Sequence, residues 1–85
     1  MKFLENIKIR WGSCNYKNKI IIFNKLLKYL PIELIRYVVI HEMCHLIINN
    51  HKREFWMLID RLDSQFKEKE KLLAEYSLKL NYELI

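Results

Sequence analysis

The sequence predicts an α+β fold: a small antiparallel β-hairpin packed on a central helix, with further helices toward the carboxyl end. Three observations carry this. In residues 4–11, Ile7 and Ile9 alternate with Lys8 and Arg10, the period-two pattern of a half-buried strand. Ile20-Ile21-Ile22-Phe23 is β-branched and aromatic, which suits a second strand over residues 19–24. Across residues 32–48 the apolar side chains cover most of a helical circumference, as in a central, buried helix.

The connections support the same order. Asn15-Tyr16-Lys17-Asn18 is polar and turn-tolerant, so it joins the two strands. Gly12, the only glycine, falls at the end of the first strand, where a bend or a close backbone approach needs it. Residues 25–30 form a short link of about one helical turn. Pro31 suits the first position of the long helix, and Glu33 suits the positive end of its dipole. Asn49-Asn50 is expected to end that helix in a left-handed cap. A next helix over 52–62 carries Phe55, Ile59 and Leu62 at helical spacing. Ser64 then caps a last helix with Phe66, Leu73, Tyr76 and Leu80 on its core face. Lys67-Glu68-Lys69-Glu70-Lys71 reads as its solvated side.

With 85 residues, the chain is read as one domain over 1–85. It is 52% hydrophobic with one Gly and one Pro, a packed rather than a disordered composition. A domain this small has marginal stability, so a bound metal would strengthen the fold. No apolar run approaches the ~20 residues of a membrane span. The amino terminus is too soon charged for a secretion signal, so the expected location is cytoplasmic, with no membrane partner. Cys14 and Cys44 are too far apart for a C-x-x-C site, and Cys44 reads as a small buried side chain. The net charge is +5, and the bases crowd the first thirty residues. That leaves nucleic acid as a lesser partner reading.

The chemistry centres on His41-Glu42-Met43-Cys44-His45. On a helix, residues four apart share a face, so His41 and His45 can offer two imidazoles to one metal ion. Glu42, one residue on, lies within reach of a water that zinc has acidified. The competing reading is a buried helix with incidental histidines. It is weakened because all three histidines of the chain fall between positions 41 and 51. A carboxylate in so apolar a helix also needs a reason. A third ligand must come from elsewhere: His51 follows at once, and Glu54 is its rival.

A wider set of residues resembles a known family. Arg10-Trp11-Gly12-Ser13-Cys14 is followed by Ile22-Phe23-Asn24, Leu27 and Pro31. Then come Tyr37-Val38-Val39-Ile40-His41-Glu42-Met43-Cys44-His45-Leu46, Asn50-His51 and Phe55-Trp56. This run resembles the YgjP-like metal-dependent hydrolases, which are related to the SprT-like and minimal gluzincin-like zinc peptidases. The resemblance implies a minimal zincin-like core, with His41, His45 and His51 as zinc ligands and Glu42 as general base. Members usually carry a larger β-rich region before the motif corresponding to Arg10. Lys52 stands where a small hydroxyl residue is expected.

The expected activity is therefore zinc-dependent hydrolysis of a peptide or protein substrate, bound extended along the strand over 19–24. Tyr37, one turn before His41, is the candidate oxyanion donor, with Arg53 and Asn24 behind it. Two alternatives stand beside this. One is a non-catalytic, zinc-stabilised binding module, whose site Glu54 or Cys44 would close. The other is a DNA-associated protease of the SprT-like kind. The apolar central helix leaves room for a second copy of the chain or a completing subunit.

Overall fold

The computed structural model describes residues 10–84, with side chains for 10–80. Strand β1 (Gly12–Asn15) pairs antiparallel with β2 (Ile20–Phe23) in a two-stranded sheet. A 3-10 turn over Lys25–Tyr29 leads to helix α1 (Ile32–Cys44). Helices α2 (Arg53–Leu62) and α3 (Phe66–Leu84) follow. The sheet packs on α1 through β1, and both later helices also pack on α1. The expected α+β arrangement, a hairpin on a central helix with helices behind, is the one found. Among the described residues no helix is long and apolar enough to cross a membrane.

The first strand differs from the expectation. Residues 4–9 lie outside the described residues, and neither Arg10 nor Trp11 is in a strand. The turn decides this. Four residues, Tyr16 to Lys19, connect the strands, and Asn15 Oδ1 accepts a hydrogen bond from the Asn18 N–H at 3.1 Å. Lys19 closes the turn with φ 57°, the left-handed conformation, so the second strand starts at Ile20 rather than at 19. Register then runs outward from Asn15↔Ile20 to Gly12↔Phe23. At the open end Asn24 ties the two chains together. Its N–H donates to the Trp11 carbonyl at 2.9 Å, and its side-chain amide donates to the Arg10 carbonyl at 3.0 Å. Its Oδ1 caps the 3-10 turn by accepting from the Leu26 N–H at 2.8 Å.

The core is built on Trp11, Leu34, Tyr37, Val38, Phe55, Ile59 and Leu73. Helix α1 is not buried all round: Ile32 and Met43 are exposed, at 58% and 53%, as is Ile47 just beyond its end, at 68%. Leu62, expected on the core face of α2, is also exposed. In a domain this small, there is too little chain to cover every side of a central helix. Asp63, rather than Ser64, organises the start of α3. Its Oδ1 accepts from the Gln65 N–H at 2.9 Å, and its other oxygen pairs with Lys69.

Candidate metal centre

Helix α1 brings His41 and His45 to one face, one turn apart. His51 reaches them because the helix stops early. The expectation was a helix to residue 48 ended by left-handed asparagines. Instead α1 ends at Cys44, and Asn49 and Asn50 have no positive φ. The last turn tightens: the N–H groups of His45, Leu46 and Ile47 each reach back three residues, to Glu42, Met43 and Cys44. The chain then doubles back. Lys19 Nζ donates to the Leu46 carbonyl at 3.1 Å, which ties the hairpin turn to this reversal.

The result is a cluster of three ring nitrogens. His45 Nε2 and His51 Nε2 are 2.9 Å apart, and His51 Nε2 and His41 Nε2 are 3.4 Å apart. The ligand atoms of the three residues all lie within 4.8 Å of one another. Nitrogens bound about 2.0–2.1 Å from one tetrahedral ion stand about 3.3 Å apart, so the spacing fits a metal. Glu54 and Cys44 do not belong to the cluster. Cys44 is buried, and that burial pushes its thiol above the ordinary range.

The protonation of the rings follows from their far sides. His45 Nδ1 lies 3.0 Å from the Ile48 carbonyl, which can only accept, so Nδ1 carries the proton. His41 Nδ1 lies 3.4 Å from Glu70 Oε2. Burial alone would raise the Glu70 carboxyl, but His41 and the Tyr37 hydroxyl outweigh it and hold the group below the ordinary range. An ionised Glu70 also only accepts, so His41 Nδ1 carries the proton too. Two Nε2 lone pairs therefore face the cluster, the form that binds a metal. His51 is held below its ordinary value by burial and then by His45 and His41, against the pull of Glu70. That favours the neutral ring, which is again the ligating form.

Phe55 and Trp56, the first turn of α2, support this arrangement. Phe55 is fully buried beneath the three imidazoles. Its ring stacks on His45 at 4.3 Å and meets His41 and His51 edge-on, each at 5.1 Å. Trp56 Nε1 donates to the His51 carbonyl at 2.9 Å, and its ring stacks on His51. These contacts explain why Phe and Trp follow His51 at four and five residues.

Glu42 is buried beside the cluster, at 7% exposure, and its carboxylate has no hydrogen-bond partner among the described residues. Gly12 makes room for it. A Cβ on Gly12 would stand 3.0 Å from Glu42 Cγ and 3.2 Å from its Oε2, so any other residue would press on the carboxylate. Arg10, Gly12, Ser13 and Cys14 of this stretch, with Asn49, line the cleft that holds Glu42 and the imidazoles. The strand beside the site is thus β1, whereas the expectation had the substrate beside the 19–24 strand. Ile20, Ile22 and Phe23 of β2 are exposed.

Tyr37, the expected oxyanion donor, is fully buried and its hydroxyl donates to Glu70 Oε2 at 2.6 Å. Desolvation, with Glu70 beside it, raises the phenol above its ordinary range. Arg53 is exposed, and the Asn24 amide is occupied by Arg10 and Leu26. Glu70 is the residue that the sequence reading assigned to solvent. A signal for it existed: Phe66, Glu70, Leu73 and Ser77 follow helical spacing, which puts Glu70 on the apolar face.

No curated protein and no solved structure gives a significant match to the chain. The model of the YgjP-like family, metallopeptidase domain, matches residues 3–76, most of the length and the whole of the stretch that carries the cluster: the chain belongs to the YgjP-like metallopeptidase family.

Proposed function

We propose that the protein is a zinc-dependent endopeptidase of the H-E-x-x-H type, with His41, His45 and His51 as the metal ligands and Glu42 as the general base. One observation carries this reading: three convergent imidazole nitrogens share a cleft with a buried carboxylate that no donor holds among the described residues. Neutral imidazoles suit zinc, and three protein ligands leave one position open, as catalytic rather than structural sites do. The absence of Glu54 and Cys44 from the cluster speaks against the closed site of a binding module.

A bound zinc would acidify a water and polarise the scissile carbonyl. The role left to the Glu42 carboxylate would be to accept a proton from the attacking water as the water oxygen bonds to the carbonyl carbon. It would then return the proton to the amine nitrogen as the C–N bond breaks. Among the described residues no donor competes for the Glu42 carboxylate, which shares its cleft with the imidazoles. Gly12 fixes where the carboxylate stands. The edge of β1 facing away from β2, unpaired among the described residues, is suited to hold an extended peptide by main-chain hydrogen bonds. Tyr37 is spent on Glu70, and this supports a supporting role for it rather than contact with the oxyanion.

The test is zinc content and casein hydrolysis in wild type and Glu42→Gln. Glu42→Gln is expected to keep one zinc and to lose about 10²–10⁴ of the hydrolysis. Wild type that binds zinc and cleaves no unfolded substrate would support the binding module instead. Equal cleavage by the variant would remove Glu42 from the mechanism.

A further inference from the structure

Glu70 is a partly buried carboxylate at the edge of the core. It is on the face of α3 that also carries Phe66 and Leu73, and its side chain is 39% exposed. Leu73 is buried in the core, and the Phe66 ring stacks on Trp56 at 5.8 Å. The helix is therefore anchored on both sides of Glu70, which fixes where its side chain starts. One of its oxygens, Oε2, serves two groups: the Tyr37 hydroxyl at 2.6 Å and His41 Nδ1 at 3.4 Å. Tyr37 is fully buried one helical turn before His41, so its hydroxyl is a rigid donor.

An acceptor for the Tyr37 hydroxyl alone could be a glutamine, at less desolvation cost. The charge finds its nearest basic partner in His41. A carboxylate on Nδ1–H fixes which nitrogen holds the proton, sets the ring plane, and makes Nε2 more basic. From this we propose that Glu70 is a positioning residue of the metal centre. It presents His41 Nε2 to the ion, Tyr37 holds Glu70 in place for that task, and metal affinity thus depends on the docking of α3. The inference rests on the reading of the cluster as a zinc site.

The test uses the full chain and zinc alone, titrated against a competing chelator, for wild type, Glu70→Gln and Tyr37→Phe. The second readout is the imidazole nitrogen spectrum of His41 in the zinc-loaded protein. Glu70→Gln is expected to lower zinc affinity by about 10–100-fold. The His41 Nδ1–H resonance should move as its acceptor loses charge, while metal-free thermal unfolding stays near wild type. Tyr37→Phe leaves the charge and removes its tether, so it should lower affinity by less and shift the same resonance. Should Glu70→Gln fail to fold, Tyr37→Phe decides the matter by itself. If both variants bind zinc within about twofold of wild type with an unmoved His41 spectrum, Glu70 is structural only and the proposal is overturned. Wild type that takes up no zinc would overturn the proposal together with the metal reading beneath it.

Discussion

Two of the three imidazoles are oriented by different parts of the molecule. His45 is held from within its own loop: its Nδ1 donates to the main-chain carbonyl of Ile48, three residues on. His41 is held from across the fold, by a side chain of α3. The difference is one of dependence. The carbonyl comes with the reversal of residues 45–51 and no side-chain substitution removes it. The carboxylate is present only when α3 is docked in register. One half of the centre is therefore a local product of the chain, and the other is tertiary, so each can be disturbed without the other.

The largest effect should come where the two halves meet. Phe55 lies under all three rings, so Phe55→Ala would remove the floor of both. Truncating a fully buried Phe costs about 3–5 kcal/mol. That is a large part of the about 5–15 kcal/mol that holds a domain together. The metal-free variant is expected to be largely unfolded at 37 °C by circular dichroism, with zinc restoring part of the transition. A loss below about 1 kcal/mol would mean that the rings do not share this support.

A smaller, one-sided effect is expected from Trp56→Phe. It keeps the aromatic stack on His51 and removes the Nε1–H that clamps the His51 carbonyl at 2.9 Å. One hydrogen bond of this kind contributes about 1 kcal/mol, or roughly a fivefold change in zinc affinity. Amide exchange should quicken over residues 49–52, while the Tyr37–Glu70 contact stays intact. Faster exchange in α3 as well would show that the loop and the helix are coupled after all.

The local half was also the legible half. His41 and His45 share a face by spacing alone, and the closeness of His51 in sequence demanded a reversal, which the structure makes. The hairpin, the central helix and the helices behind it followed from hydrophobic period. Where the chain departed from expectation, turn geometry or the limits of the small fold decided. The four-residue turn with Lys19 left-handed moved the pairing to Gly12–Asn15. The segment after Cys44 tightens and doubles back, held by Lys19 on the Leu46 carbonyl, so α1 is shorter than its apolar run. An apolar residue does not announce whether a partner exists for its face, so Ile32, Met43 and Leu62 read as core and are exposed. Glu70 was hidden by its neighbours: among Lys67, Glu68, Lys69 and Lys71 it looks like one more surface charge. Only its register with Phe66 and Leu73 distinguishes it.

The smallest effect tests the tertiary half from its far end. Asp63 starts α3: its Oδ1 accepts from the Gln65 N–H, and its Oδ2 pairs with Lys69, the residue before Glu70. Burial alone would raise the Asp63 carboxyl, but Lys69 and the Gln65 N–H outweigh it and hold it below the ordinary range. A carboxyl depressed in the fold contributes stability that is present above its unfolded value of about 3.9 and is lost as pH falls through the lower folded value. Asp63→Asn retains an acceptor for Gln65 and removes the charge. Wild type should therefore exceed Asp63→Asn by less than about 1 kcal/mol near neutrality, since the pair lies close to the surface. The gap should narrow below about pH 4 and close in stronger acid, where the wild-type carboxyl is also neutral. Urea unfolding of the metal-free proteins from pH 7 to 3 measures this. The deficit of Trp56→Phe, which involves no titrating group, should stay level over the part of that range where the histidines do not change charge. A gap for Asp63→Asn that widens as pH falls would mean that Asp63 is raised in the fold, not lowered, and that Lys69 does not anchor the helix that carries Glu70.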